Sequence, residues 1–232
     1  YYGAISDYTT AIYLKPNTDY LYYNRGLSKR EIKDFVGAIS DYNLAINLNS
    51  NYFNAYIDRG LSKIGLQDYY GAIADYTKAL EINSTDIRAF YNRGNAKGRE
   101  IGDFYGAISD YTKVIELNPR FTKAHYARGW SKGKLEDYYG AISDYTKAIE
   151  IDPKYLNAYW GRGWSKSQLE DFYGAISDYT KAIAIDPSNA NLFNNRGLSK
   201  ENIGDMVGAC ADWREAVSLG HDDADNYVRN QC

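Results

Sequence analysis

The sequence predicts an all-α solenoid, and three observations support this prediction. A stretch of the form DFYGAISDYTKAIAIDP, at 171–187, recurs along the chain with small changes. An Arg-Gly pair stands upstream of each copy, and its glycines are 34 or 35 residues apart. The apolar residues within each copy follow helical spacing rather than the alternation of a strand. A fixed period of this length indicates a repeat protein in which each unit packs only on its neighbours.

The copies divide the chain into repeats that together form one predicted solenoid domain. A half repeat at 1–16 comes first, and a final helix is expected at 221–232. The third full repeat is one residue longer than the others, and we expect the extra residue in a turn near 98–102, where an insertion costs little. Because the chain starts within a repeat and without Met, we interpret it as a fragment. The full repeats are predicted at 17–50, 51–84, 85–119, 120–153, 154–187 and 188–220.

Each repeat is expected to hold two helices joined by a short turn. In the repeat at 154–187 the first helix runs from about Leu156 to Leu169. Asp171 is a good N-cap for the second helix because its carboxylate can accept from exposed backbone N–H groups. Asp186 precedes Pro187, which disfavours the helical conformation and so ends the second helix. The same N-cap role is predicted for Asp34, Asp68, Asp103, Asp137 and Asp205.

Residues at fixed places in the repeat match a known family. With Gly163 at position 8, Ala175 falls at position 20, Tyr179 at 24, Ala182 at 27 and Pro187 at 32. The chain resembles the tetratricopeptide repeat (TPR) family over its whole length, in six full units that keep the same register. The resemblance implies a right-handed superhelix of antiparallel helix pairs. It also implies a concave groove lined by the first helix of each repeat.

Arginine and aspartate recur at positions where that family usually has other residues. An arginine precedes the glycine of every full repeat, and an aspartate borders the core-facing stripe of every second helix. We predict an Arg–Asp pair inside each repeat, with Arg162–Asp178 and Arg128–Asp144 as examples. The alternative is a basic stripe for an anionic ligand. The lysines four residues after each arginine are expected to keep their ammonium groups in water.

The last repeat and the tail differ from the rest of the chain. We expect Asp222 or Asp223 to cap a short final helix that covers the open face of the last repeat. Cys210 and Cys232 lie on two elements that should touch. They are either two small buried apolar residues or a disulfide that fixes the final helix, and the sequence leaves both interpretations open.

Composition and charge exclude several classes of function. The 27 Lys and Arg residues against 30 Asp and Glu give a net charge of −3, unlike the basic footprint of nucleic-acid binding. No apolar run approaches the length of a membrane span. His125 takes a position that is otherwise aromatic and is expected to fill space there. No metal-ligand spacing and no nucleophile, base and acid set is present, so the sequence predicts no enzyme, metal site or cofactor.

The groove implied by the resemblance is the candidate binding surface. Three of the four tryptophans fall on positions that line it, and exposed aromatic clusters usually mark a site. Asparagine amides at the same positions can both donate to and accept from a peptide backbone. The alternative is that the rings pack on neighbouring first helices. The predicted groove residues are Tyr91, Asn92, Asn95, Lys123, Tyr126, Trp130, Asn157, Trp160, Trp164, Asn191, Asn194 and Asn195.

The predicted function is non-catalytic binding of a protein partner, held in the groove as an extended peptide or a helix. The family's mode of holding a chaperone tail is not expected, because no repeat has Lys at position 5. One alternative is self-assembly, in which the open N-terminal end around Ile5 and Tyr8 stacks on another copy. A second alternative is single-stranded RNA bound by the helical repeats.

Overall fold

The computed structural model describes all 232 residues, and every regular element in it is helical. It contains fourteen α-helices and one π-helical turn. The helices group into two compact units, Tyr1–Pro119 and Arg120–Cys232. The boundary between the units coincides with the boundary between two predicted repeats. None of the helices combines the length and the apolar character needed to cross a membrane.

The first unit has seven helices that pack in chain order. They are α1 Tyr2–Leu14, α2 Asp19–Glu31, α3 Phe35–Leu48, α4 Phe53–Gly65, α5 Tyr69–Ile82, α6 Ile87–Asn95 and α7 Phe104–Leu117. Each helix contacts the next, and α4 also contacts both α2 and α6. The first helices of successive repeats therefore lie side by side, as expected for stacked helix pairs.

The second unit repeats this arrangement with seven further helices. They are α8 Thr122–Lys134, α9 Tyr138–Ile151, α10 Leu156–Gln168, α11 Phe172–Ile185, α12 Ala190–Asn202, α13 Met206–Ser218 and α14 Asp222–Gln231. Each helix again contacts the next, and α10 also contacts both α8 and α12. The side-by-side first helices α8, α10 and α12 form the surface on which the candidate site is built.

The turn inside each repeat is fixed by the predicted aspartate cap. Asp171 accepts a hydrogen bond from the backbone N–H of Gly174 at 2.9 Å. A Cβ on Gly174 would lie 2.1 Å from Asp171 Oδ2, so a larger residue would displace the cap. Glu170, just before the cap, adopts φ +60°. The equivalent caps are Asp34, Asp68, Asp103, Asp137 and Asp205.

Small residues and one large ring build the core of each repeat. Ala175 and Ala182 are fully buried, and the ring of Tyr179 is buried beside them. A Cβ on Gly163 would lie 3.0 Å from Tyr179 Cε1, so the close approach of α10 and α11 depends on this glycine. The same ring position is held by Tyr42, Tyr76, Tyr111, Tyr145 and Trp213.

The extra residue of the third repeat lies in a helix, so the expectation of an insertion in a turn was wrong. Ala96–Glu100 forms a π-helical turn at the end of α6. The wider turn takes up one residue, and the N–H of Asp103 then donates to the carbonyl of Lys97 at 2.8 Å. Lys97 keeps its place, since its Nζ lies 2.9 Å from Asp110 Oδ2.

A buried ion cluster is present in every full repeat. Arg162 donates from Nε and Nη2 to the two carboxylate oxygens of Asp178, at 3.0 and 2.7 Å. Lys166 Nζ lies 2.8 Å from Asp178 Oδ2, and Asp178 is only 2% exposed. The expectation that these lysines stay in water was wrong, because each binds the aspartate that its arginine binds. The equivalent clusters are Arg25–Lys29–Asp41, Arg59–Lys63–Asp75, Arg93–Lys97–Asp110, Arg128–Lys132–Asp144 and Arg196–Lys200–Asp212.

The cluster around Asp144 has a fourth member. His125 is buried, and its Nδ1 lies 3.9 Å from Asp144 Oδ1. Burial of Asp144 opposes its ionisation, but contacts with His125, Arg128 and Lys132 outweigh burial and lower the pKa of Asp144 to about 2. His125 therefore fills the aromatic position and also lies beside a buried carboxylate.

The final helix α14 begins differently from the expectation. Its N-cap is His221, whose Nδ1 accepts from the backbone N–H of Ala224 at 3.3 Å, so the prediction of an aspartate cap was wrong. Asp222 and Asp223 instead occupy the first turn, where negative charge suits the helix dipole. The helix packs on α13.

Two side-chain contacts join α13 to α14. The rings of Trp213 and Tyr227 stack with centroids 4.9 Å apart. Cys210 and Cys232 form a disulfide, with their Cα atoms 5.6 Å apart. The two cysteines are therefore joined covalently and are not two separate buried apolar residues.

Candidate binding groove

Two facing helices of the second unit present the candidate site. On α10, Asn157, Trp160 and Trp164 follow one another at intervals of three and four residues, which places them on one face. On α12, Asn191 and Asn195 are four residues apart and share a face in the same way. Because α10 contacts α12, the two faces meet along a groove.

One cavity of about 320 Å³ lies at the start of this groove. Trp160, Trp164, Asn157, Asn191 and Asn195 all contribute to its wall. The remaining wall residues are Leu156, Asn189 and Leu192. No charged side chain lines this cavity, and four of its eight wall residues are asparagines.

A second cavity of about 300 Å³ continues along the groove. It shares Trp164 and Asn195 with the first cavity, and no charged side chain lines it. Burial raises the pKa of Tyr179 in its wall to about 12, so this phenol is neutral at physiological pH. The other wall residues are Ser167, Gln168, Phe172, Leu198, Ser199 and Asn202.

The tryptophans also meet on the α8 side. Trp130, Trp160 and Trp164 line a recess of about 60 Å³ together with Gly133, Lys134, Tyr145 and Gly161. The ring of Trp164 packs edge-on against Tyr138, with centroids 5.6 Å apart. The structure thus brings three predicted groove tryptophans together, and Trp164 borders all three spaces.

Several polar groups in the groove have no partner inside the protein. The side-chain amides of Asn157, Asn191 and Asn195 make no hydrogen bond within the chain, and neither do the indole N–H groups of Trp160 and Trp164. An amide both donates and accepts, whereas an indole only donates. The groove therefore offers neutral hydrogen-bonding groups of both kinds beside two aromatic rings.

Comparison with protein families identifies the repeat. Models described as tetratricopeptide repeat match residues 87–121 and 122–155, and a model described as TPR repeat matches residues 63–99 and 167–204. The chain belongs to the tetratricopeptide repeat family. Proteins of this family are generally non-enzymatic scaffolds for protein interactions.

Solved TPR structures share the fold. The crystal structure of MamA protein has a TM-score of 0.69 and 23% identity, covering 78% of this chain and 96% of that chain. The TPR protein YrrB has the same TM-score and identity, covering 78% of this chain and 92% of its own. A TPR protein from Parabacteroides merdae has a TM-score of 0.68 and 20% identity, covering 97% and 90%. Comparison with curated protein sequences found no match.

Three predicted groove residues of the second unit lie outside the cavities of this TPR groove. Tyr126 packs against Tyr155, with ring centroids 5.5 Å apart. Lys123 is exposed and lines neither cavity. Asn194 is only 9% exposed, and its Oδ1 is buried without a hydrogen bond. Asn194 and Trp160 both occupy position 5 of their repeats. The side chain of Asn194 points into the protein, whereas that of Trp160 lines the groove.

The remaining predicted residues belong to the first unit. Asn92 and Asn95 line a cavity of about 120 Å³ there. Asn95 Oδ1 accepts from the hydroxyl of Tyr111 at 2.9 Å, so this amide is already engaged. Tyr91 packs against the same Tyr111 ring, with centroids 5.9 Å apart. No tryptophan lies in this unit.

Sequence reasoning missed the far wall of the second cavity. Gln168 lies four residues after Trp164 on α10, and Asn202 lies four residues after Leu198 on α12. Each therefore lies one helical turn further along the face that lines the groove. Continuing the helical period by one turn would have found both. Phe172 and Tyr179 come from the second helix of the repeat, and no position in the first-helix pattern indicates them.

No group of three or more His, Cys, Asp or Glu side chains that could hold a metal ion is present. The groove offers aromatic surface, amides and hydroxyls. This arrangement suits the binding of a neutral polar chain.

Proposed function

We propose that this TPR protein is a protein-interaction scaffold and that the groove between α10 and α12 binds an extended peptide segment of its partner. One observation carries the proposal. Asn157, Asn191 and Asn195 have amides without internal partners, and they lie beside the rings of Trp160 and Trp164. Main-chain amides of a peptide need both donors and acceptors, which asparagine supplies.

The aromatic rings add the apolar part of this binding. Tryptophan is enriched among the residues that dominate binding energy at interfaces, especially where the ring is partly enclosed. The rings of Trp160 and Trp164 border cavities of about 320 and 60 Å³, so a bound chain would cover their open sides. The neighbour YrrB is described as a TPR protein with an unusual peptide-binding site, which is consistent with a peptide role for such a groove.

A comparative pull-down tests the proposal. Wild-type protein and the Trp160→Ala/Trp164→Ala variant are immobilised and incubated with lysate of the source organism, and retained proteins are identified by mass spectrometry. Tyr173→Ala is the matched control, because Tyr173 is an exposed aromatic residue on α11 that lines neither cavity. The proposal expects a partner retained by wild type and control but lost by the double variant. Equal retention by all three proteins would contradict it.

Self-association through α1 is a second candidate. No residue of α1 is buried, and Tyr13 and Leu14 are 85% and 71% exposed. Exposed apolar residues grouped on one helix favour association with another copy. Sedimentation over a range of concentrations tests it: oligomers that disappear in Tyr13→Ser/Leu14→Ser would support self-association, and a monomer at all concentrations would contradict it.

A further inference from the structure

We propose that the groove binds two uncharged side chains of its peptide, an apolar or aromatic one and an amide one, placed three residues apart on either side of Trp164. This inference rests on the proposed function and names the kind of segment that the same site takes. It depends on the different walls of the two cavities, on their spacing along α10 and on the absence of charge.

Trp164 and Asn195 separate the two cavities. Both residues line the cavity of about 320 Å³ and the cavity of about 300 Å³. One comes from α10 and the other from α12, so together they form a partition across the groove. A chain lying along the groove passes over this partition and places side chains in the cavities before and after it.

The cavity at the start of the groove suits an amide side chain. Asn157, Asn189, Asn191 and Asn195 contribute to its wall. Asn189 Oδ1 accepts from the backbone N–H of Asn191 at 3.2 Å, whereas the other three amides are free of internal partners. A buried amide of the ligand would find both donors and acceptors among them, as a buried polar group requires.

The cavity at the end of the groove suits an apolar or aromatic side chain. Phe172 and Leu198 bring two large apolar surfaces to its wall, and Trp164 closes the side toward the partition. Three of its five serine and amide side chains are already engaged. Ser167 Oγ lies 3.3 Å from Ser199 Oγ, Ser199 Oγ donates to the carbonyl of Asn195 at 3.0 Å, and Asn202 Nδ2 donates to the carbonyl of Leu198 at 2.8 Å. Of the other two, Gln168 is exposed, and Asn195 is shared with the first cavity.

The spacing of the cavities sets the spacing of the side chains. The α10 wall of the first cavity runs from Leu156 to Trp164 and that of the second from Trp164 to Gln168, so the two walls are centred about six residues apart. Six residues of α-helix advance about 9 Å along the axis. Three residues of an extended chain in the polyproline II conformation also advance about 9 Å, and because three residues make one turn of that helix, residues i and i+3 point to the same side. An extended peptide thus places residues i and i+3 in the two cavities.

Charge selects against acidic and basic side chains at these two places. No Asp, Glu, Lys or Arg lines either cavity. The two basic residues of α10, Arg162 and Lys166, are bound to Asp178 at 2.7 and 2.8 Å. A charged side chain enclosed here would lose its hydration without gaining an opposite charge, which is strongly unfavourable.

Selection from a library of short random peptides displayed on phage tests the inference. We expect enriched sequences in which Phe, Leu or another apolar residue and Asn or Gln are separated by two residues, in one chain direction. A synthetic peptide of the enriched sequence is then measured by calorimetry. Replacing either contact residue by Asp or Lys should weaken binding about tenfold or more, and Trp164→Ala should do the same.

Two controls sharpen the comparison. Asn195→Ala should weaken binding, whereas Tyr173→Ala, at an exposed residue that lines neither cavity, should leave it unchanged. Because the contacts are uncharged, the dissociation constant should change by less than about twofold between about 50 and about 500 mM salt.

Contrary outcomes separate the inference from the proposed function. Peptides that need Trp164 but carry charged contact residues, or that bind with a steep salt dependence, would overturn the inference and leave the peptide groove standing. Neutral oligosaccharides that bind through Trp164 in place of peptides would overturn both. A selection with no peptide that depends on Trp164 would contradict the proposed function itself.

Discussion

Arg162 and Asp178 form a two-point ion pair, in which Nε and Nη2 donate to the two carboxylate oxygens at 3.0 and 2.7 Å. Lys166 approaches the same carboxylate at 2.8 Å, so one buried anion lies between two cations. We therefore expect the three charged groups to contribute unequally to the stability of the folded protein. The aspartate is 2% exposed, whereas the arginine is partly exposed and keeps some access to water.

Removing the anion should destabilise the protein more than removing one cation. Asp178→Ala leaves Arg162 and Lys166 facing each other without a counter-charge, and we expect a loss of about 3–5 kcal/mol of unfolding free energy. Arg162→Ala leaves Lys166 on the carboxylate, and we expect a loss of about 1–3 kcal/mol. Urea denaturation of both variants measures the difference. Equal losses would show that the lysine does not stabilise the carboxylate.

Acid should remove the contribution of Asp144. Its pKa is lowered from 3.8 to about 2, so the ionised form is favoured in the folded protein. The stabilisation is fully present above about pH 4 and is lost as the pH falls toward 2, by about 2 kcal/mol in total. Denaturation of wild type and Asp144→Asn at about pH 5 and about pH 2.5 measures how much the ionised Asp144 contributes to the unfolding free energy. We expect their difference in unfolding free energy to shrink at the lower pH, and a constant difference would contradict the assignment.

Reduction should loosen α14. The disulfide joins Cys210 and Cys232 across a sequence separation of 22 residues, and a loop of that length corresponds to about 3 kcal/mol in the chain-entropy model. With reductant present, amide hydrogens of α14 should exchange faster, while those of α10 should change little. The Cys210→Ser/Cys232→Ser variant should exchange at the faster rate with or without reductant. Fast exchange of α14 in the oxidised wild type would contradict the prediction.

Glycine should stabilise the turn before α11. Glu170 has φ +60°, a conformation that is unfavourable for a residue with a Cβ, and Gly204 at the equivalent place has φ +80°. We expect Glu170→Gly to raise the unfolding free energy by about 0.5 kcal/mol, and Gly204→Ala to lower it by about 1 kcal/mol. Thermal unfolding of both variants provides the measurement. A loss of stability in Glu170→Gly would mean that the Glu170 side chain makes a stabilising contact.

The repeat period was sufficient to predict the helices, because it depends on local rules. Asp171 as a cap and Pro187 as a stop act within a few residues of their own position, and the structure contains a helix from Phe172 to Ile185 between them. The TPR family assignment is confirmed by the family comparisons. The role of Lys166 could not be predicted, since its distance to Asp178 depends on how two helices pack.

The same reasoning from sequence patterns predicted only part of the groove. Trp160 and Trp164 could be assigned to one helical face from their spacing, but the depth of burial at one position depends on the neighbouring side chains. Asn194 occupies the same repeat position as Trp160 and is nevertheless buried. Phe172 and Tyr179 line the site from α11, the second helix of their repeat. The predicted pattern covered only first helices, so it could not include them.

Calorimetric titration of the partner's peptide segment tests the central claim most directly. The segment is titrated into wild type, Trp160→Ala/Trp164→Ala and the Tyr173→Ala control, with circular dichroism showing that all three are folded. The account predicts that the double variant binds at least about tenfold more weakly, since each ring contributes more than about 1 kcal/mol, while the control binds like wild type. Equal affinity for all three proteins would show that the partner does not bind in the groove between α10 and α12.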